Sequence, residues 1–425
     1  LRDAHLERRE DLRRHRDGRR NHLPVLLGAG AAEAPAADIP SDLAVRQMLA
    51  ARSGTRPEDW HLTFKARQAM RVACDAIAAA GGREVATQLF TCCTAVDPIT
   101  SAGLSPVFCD IDPGTLAISA ALAGEPSAVM LQHTCGLMAP AADAALASAA
   151  HARGAVVLED CAHCVGRLAT DAEDKPLADL SFHSFGVEKM LPTHFGGAVW
   201  VNPDSPLAGE LSRIRESLAE LPAPPAKAER LNSSYRQVNR VLVHLPLPLA
   251  RPLRRALAKG GLFDPAVSDE ERLGGVSHEP TRPTAFACDA ALAALSDYEK
   301  NLAARSAAVC AYREALSGAP GVEIPAAVLT GEVQPLVRMP ILLANTEVAD
   351  AVESAVLKAG YYTTAWYRPE LGPGVLDEAV YHVPADRSAL AQSDRLVACV
   401  ANLPTDIPAD GVRKVIDAVR AVASH

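Results

Sequence analysis

The run Gly154-Ala-Val-Val-Leu158 constrains this chain most, because it is wholly apolar and ends abruptly in Glu159-Asp160. A strand without a polar face must be covered on both sides, the condition of a parallel strand inside an α/β sheet. Ligands of such sheets bind beyond the carboxyl ends of the strands, where Asp160 falls. Comparable strand-like segments recur at Leu62-Thr63-Phe64, at Pro106-Val-Phe108 and over Ser127 to Thr134. Helical stretches lie between them, among them Pro140 to His151, and the alternation predicts parallel βαβ units.

A second stretch adds chemistry. Leu180 to Phe185 reads as a strand that breaks at Gly186, and Gly197-Ala-Val-Trp-Val201 reads as the next. Lys189 lies in the loop between them, flanked by Val187, Met190 and Leu191. Apolar neighbours disfavour the ammonium form and lower the pKa of a lysine. Only the neutral amine attacks a carbonyl. A lysine at one strand end and an aspartate at its neighbour suggest pyridoxal 5'-phosphate (PLP), whose aldehyde takes the lysine and whose pyridine nitrogen takes the carboxylate. Spacing alone leaves open a surface lysine and a helix-capping aspartate.

Glu159-Asp160-Cys161-Ala162-His163, Ser184-Phe185-x-x-x-Lys189 and Gly196-Gly197-Ala198-Val199 resemble the PLP core of the DegT/DnrJ/EryC1/StrS aminotransferases. The resemblance covers roughly residues 55–425 apart from an insert. It implies a PLP-dependent transferase of fold type I, an α/β protein. A mostly parallel seven-stranded-type sheet would form the large domain, with a smaller α+β C-terminal domain. It also implies amino transfer to a keto-sugar, mostly nucleotide-linked, from an amino donor. By the same resemblance Lys189 is the catalytic lysine, Asp160 holds the ring nitrogen, His163 lies near the ring oxygen and Ser184 bonds the phosphate.

The chain departs from the pattern at the phosphate. The family grips it with Ser-Gly-Thr or Gly-Arg-Thr at a helix start, a natural anion site. Here the segment is Ala66-Arg67-Gln68, and Arg67 supplies charge in place of the hydroxyl. Cys92 stands where the family stacks an aromatic ring. His133 and Tyr367 match substrate-facing positions, although a strand-end histidine bonded to backbone fits His133 equally well. The family's Asn-x-Arg segment reaches the phosphate across a homodimer with shared active sites. Arg282 matches its arginine, and Pro280 replaces its asparagine.

The expected division is 1–54 arm and linker, 55–222 large PLP-binding domain, 223–281 insert, and 282–425 long helix and small domain. The arm, residues 1–22, is rich in arginine and reads as a solvated helix end. In the insert, Val238 to Ala258 mixes leucine and valine with Arg240, Arg251, Arg254 and Arg255. Pro246, Pro248 and Pro252 forbid one unbroken helix there. An apolar side at Leu242, Leu245, Leu247 and Leu249 is expected to cover a dimer neighbour, with contact at a membrane surface as the alternative. In the small domain, Thr346 is expected to cap a helix from Glu347 to Ala359.

A net charge of −9 argues against general nucleic-acid binding. The ten cysteines lie mostly in core-like runs and read as reduced thiols of a cytoplasmic protein. Cys161-Ala-His-Cys164 also spells C-x-x-C, but without spaced partner ligands it reads as packing rather than metal or redox chemistry. Two competing functions remain. One is a PLP-dependent lyase or dehydratase, disfavoured because relatives that dehydrate sugars carry histidine at the position of Lys189. The other is a PLP-binding protein with degenerate activity, prompted by the departures at Ala66, Cys92 and Pro280.

Overall fold

The structure is a computed structural model and describes residues 39–423 except Pro192 and Ala365. The expectations for the arm and for most of the linker lie outside the described residues.

The central sheet has seven strands: β1 (Trp60–Thr63), β2 (Glu84–Thr87), β3 (Ser105–Phe108), β6 (Ala128–Gln132), β7 (Val156–Asp160), β8 (Leu180–Ser184) and β9 (Gly197–Val201). Their order is β1-β9-β8-β7-β6-β2-β3. The five strands from β3 to β8 run parallel, and β9 and β1 pair antiparallel at one edge. Two short strands, β4 (Ile111–Asp112) and β5 (Ala117–Ile118), form a separate ribbon. This is the mostly parallel α/β sheet read from the sequence. Both faces of β7 are covered, and all five of its residues are buried. Asp160 pairs in register with Gln132 of β6 and Phe182 of β8, so it sits at the carboxyl edge of the sheet.

The small domain is built on the antiparallel pair β10 (Arg338–Leu342) and β11 (Val400–Pro404). Helices Thr346–Lys358 and Ala409–Ala423 pack together beside it. One apolar cluster joins this layer to the sheet through Leu131 and Val157 on one side and Met339 and Val412 on the other. A second cluster, including Leu158, Phe182 and Val199, fills the opposite face.

Local chemistry moved several boundaries. Asn345, not Thr346, caps the small-domain helix, its side chain accepting the Val348 N–H at 2.9 Å. Asp42 lies inside the first turn of Ser41–Ser53 and pairs with Arg46. The long helix expected from Arg282 is two helices, Ala285–Ser296 and Tyr298–Leu316, the first capped by Thr284 on the Ala287 N–H. The insert forms a hairpin of helices Ala226–His244 and Leu247–Lys259, broken at Leu245-Pro246. Its expected apolar side divides: Leu242 is buried against the body, whereas Leu249 faces outward.

Candidate active site

Lys189 sits where β8 leaves the sheet. Thr193 Oγ1 ties the loop, lying 2.8 and 2.7 Å from the carbonyls of Phe185 and Phe195, either of which can accept its proton. Met190 and Leu191 are buried among Trp60, Phe185 and Trp200 and anchor the segment that presents the lysine. Lys189 Nζ lies 2.8 Å from His163 Nε2. The Cys135 N–H donates to His163 Nδ1 at 3.0 Å. That bond places the imidazole proton on Nε2, so His163 donates to Lys189 and the lysine accepts through a lone pair. The pair is therefore neutral. Burial pulls the Lys189 pKa down against Cys92 and Asp160, which favour the charge. Burial, Lys189 and Arg338 together hold His163 well below the ordinary imidazole range.

Asp160 stands at the end of β7. Its Oδ1 accepts the Ala162 N–H at 2.9 Å, and no hydrogen bond reaches Oδ2 among the described residues. Burial raises its pKa, while the Ala162 N–H and Lys189 act to lower it. A buried carboxylate with one open oxygen is suited to a cationic N–H.

The aromatic wall comes from the small domain. Trp366 stacks on His163 with ring centroids 4.5 Å apart and planes 8° apart. Lys189 Nζ lies 5.3 Å from the Trp366 centroid. Tyr367 is buried, meets Phe90 edge-on at 5.4 Å, and lies nearly parallel to His163 at 6.5 Å. Burial, with Cys92 and Asp160 next, pushes its phenol well above the usual value and keeps it neutral. Cys92 receives the Thr94 hydroxyl at 3.1 Å. Its pKa falls through the hydrogen bond with Cys93, with Lys189 and Arg67 adding to that against burial.

The other end of the site is the start of helix Ala66–Ala79. Gly197 is pressed against it: a Cβ there would lie 2.4 Å from the Ala66 nitrogen, so no larger residue fits. Lys65 precedes the helix and pairs with Asp264 at 2.9 Å. Arg67 pairs with Glu271 at 2.5 Å and donates to the Ala266 carbonyl at 3.1 Å. Ser277 and the Ser268 N–H also donate to Glu271, at 2.6 and 2.7 Å. Burial opposes both carboxylates, yet Arg67 and Lys65 hold Glu271, and Lys65 and His278 hold Asp264, down at about 2. The expected phosphate charge of Arg67 is thus already matched by the chain's own insert.

Ser184, at the end of β8, is half-buried and accepts the Gly186 N–H at 3.3 Å. No acceptor for its hydroxyl proton is found among the described residues.

The structure gathers Lys189, Asp160, His163, Cys92, Tyr367 and Trp366 and leaves two expected residues out. His133 is not placed to meet a substrate: it is 1 % exposed and its Nε2 lies 2.8 Å from Glu159. Burial opposes its charge, but Cys164 and Glu159 outweigh this and push its pKa up to about 10. Arg282 is exposed, with its backbone N–H on the Pro222 carbonyl, outside the pocket of its own chain. Trp366, Lys65, Asp264 and Glu271 were missed. Trp366 adjoins Tyr367 in an aromatic-rich run, the one signal that pointed to it. The carboxylates lie about two hundred residues from their partners, with no local signal. His133, Glu159 and Cys161 group their donor atoms within 4.8 Å. Glu159 already serves His133, Ala169 and Ser181, so hydrogen bonding accounts for the cluster.

The donor set fits PLP at the ring end, where a neutral amine, a half-satisfied buried carboxylate and an aromatic wall converge. At the phosphate end a helix N-terminus and the Ser184 hydroxyl are on offer, but the two cations are engaged.

Residues 63–217 match the model of the DegT/DnrJ/EryC1/StrS aminotransferase family, and the resemblance read from the motifs holds over that stretch. A pleiotropic regulatory protein of Geobacillus stearothermophilus is 32% identical over 152 residues, 35% of this chain and 40% of its own length. A dTDP-4-dehydro-2,3,6-trideoxy-D-glucose 4-aminotransferase of Saccharopolyspora spinosa is 30% identical over 138 residues, 31% of this chain and 35% of its own. The chain therefore spans well under half of these curated relatives. Across 90% of both chains the fold is that of the aminotransferase TlmJ from Streptoalloteichus hindustanus, with a TM-score of 0.64 at 21% identity.

Proposed function

We propose that this protein is a PLP-dependent aminotransferase that delivers an amino group to a nucleotide-linked keto-sugar or a related keto compound. The observation that carries the reading is the contact of Lys189 Nζ with His163 Nε2 at 2.8 Å beside the buried Asp160. When bound, PLP supplies an aldehyde for the amine and a conjugated ring that draws electrons from the substrate carbon. Lys189 Nζ, whose pKa burial lowers, would be the amine that holds the aldehyde and, when free, the base within reach of the substrate carbon. Asp160 keeps the proton on the ring nitrogen. His163, its tautomer set by the Cys135 N–H, directs its Nε2 proton toward the reacting amine. Trp366 and Tyr367 exclude water from that amine. Ser184 and the N–H groups at the start of helix Ala66–Ala79 hold the phosphate.

The working unit in this reading is a homodimer, with Arg282 serving the partner's site. Mixed dimers of Arg282→Ala and Lys189→Ala chains then recover part of the activity, and a monomeric active enzyme in sedimentation removes the shared site. A second reading, a cofactor-binding protein with little turnover, draws on Glu271 holding Arg67.

The test is direct. Protein loaded with PLP shows a visible absorbance band that borohydride abolishes, with the label on Lys189. A screen of amino donors then bleaches the band as the cofactor takes up the amine. A label on another lysine, or no band, overturns the assignment. A band that no donor bleaches favours the second reading.

A further inference from the structure

The helical hairpin of the insert carries a charge unlike that of the rest of the molecule. Residues 226–259 hold eight lysines and arginines against one glutamate, a net of +7, in a chain whose total is −9. The remainder therefore stands at −16. The hairpin also exposes apolar surface. Nine large apolar side chains stand out into solvent among the described residues, and four of them lie between 241 and 262. These are Val241, Leu249, Leu253 and Leu262, exposed by 60, 60, 40 and 62 %.

The two properties share one face. On helix Leu247–Lys259 the spacing of Leu249, Leu253 and Ala256 puts them on one stripe, and Arg255 and Lys259, both exposed, border it. The adjoining stripe faces the protein: Ala250 is buried, and Leu257 packs with Leu242 and Phe263. Behind the hairpin, Tyr235 meets Phe195 edge-on at 5.3 Å, so the helices are seated on the loop that carries Lys189. The helix thus meets the protein along that neighbouring stripe and leaves Leu249 and Leu253 exposed.

We propose that this face docks on an anionic lipid bilayer, leucines in the headgroup boundary and arginines on the lipid phosphates. An apolar stripe edged with basic residues is the composition of an interfacial helix. A second copy is the poorer occupant. A two-fold contact through this face brings two +7 surfaces together and buries their charges against each other. The contact is peripheral, since no helix among the described residues is long and apolar enough to cross a membrane.

Co-sedimentation of the full chain with vesicles tests it. The protein pellets with equal parts phosphatidylglycerol and phosphatidylcholine, stays in solution with phosphatidylcholine alone, and is released by salt. Leu249→Glu with Leu253→Glu loses the pelleting, as does Arg255→Glu with Lys259→Glu. All four residues are exposed or border the open face, so thermal unfolding of these variants is unchanged. In the unaltered protein, amide hydrogen exchange over residues 245–262 slows when anionic vesicles are added, a reading that needs no variant. Failure to pellet with anionic vesicles, pelleting that survives the leucine pair, or exchange that does not slow overturns the proposal. Loss of oligomer mass in the leucine variant also overturns it and assigns the face to a second copy.

Discussion

At the ring end of the pocket, Lys189 and Asp160 stand at adjacent strand ends, and Oδ2 of Asp160 has no hydrogen bond from the described residues. At the helix end, Lys65 and Arg67 are paired with Asp264 and Glu271, buried carboxylates of the same chain. In the first arrangement burial outweighs the pull of Cys92 and Asp160 and lowers the Lys189 pKa, which favours the reactive amine. The second satisfies its cations internally, so an incoming phosphate meets charges already spoken for. One site thus holds a region poised for chemistry and a region built for attachment, the insert being what is attached.

The comparison breaks most completely at Lys189. Lys189→Ala should lower the rate of the amino half-reaction by roughly 10⁴-fold or more, the upper range for a positioned acid–base group, while the fold persists. Stopped-flow absorbance checks the rate and circular dichroism the fold.

Glu271→Gln attacks the other end and should act on stability rather than chemistry. Removing one member of a buried pair costs about 3 kcal/mol, the lower end of the usual range because Arg67 keeps some water contact. Denaturant titration reads the loss. Inorganic phosphate should restore part of it by replacing the missing charge, and Arg67→Met added to Glu271→Met should recover most of it. The pH dependence has a definite sign. Asp264 and Glu271 have folded values depressed to about 2, so their contribution is complete above their unfolded values of about 4 and is lost as pH falls toward 2. Glu271→Gln should flatten that acid limb, and an unchanged limb would show that other carboxylates carry it.

Asp160→Asn sharpens the contrast with a smaller effect. An amide cannot keep the ring nitrogen protonated, and turnover should fall ~10²-fold with little change in stability. Half-reaction rates near those of the unaltered protein would remove the assigned role. Ser184→Ala should do least. Loss of one neutral hydrogen bond is worth about 1 kcal/mol, roughly fivefold in cofactor retention, read by dialysis against PLP of falling concentration.

The chemistry legible in the sequence is the chemistry carried by short segments. The apolar run into Asp160, the loop around Lys189 and the glycine pair before β9 each determine their own strand or turn. The residues that end a strand are therefore known as soon as the strand is. The parallel sheet follows from the same segments, since each must be covered on both faces. Other features have no local expression. Whether His133 meets a substrate or Glu159 depends on which strand lies beside it, and only the register of β6 on β7 settles that. Trp366 reaches His163 because the small domain folds back across about two hundred residues of chain. Arg67 looks like a free cation in sequence and becomes half of an ion pair when residues 264–278 fold over the helix start. Local segments determine backbone conformation through sterics and burial pattern, whereas charge pairing and ring stacking are set by distances that only tertiary packing creates.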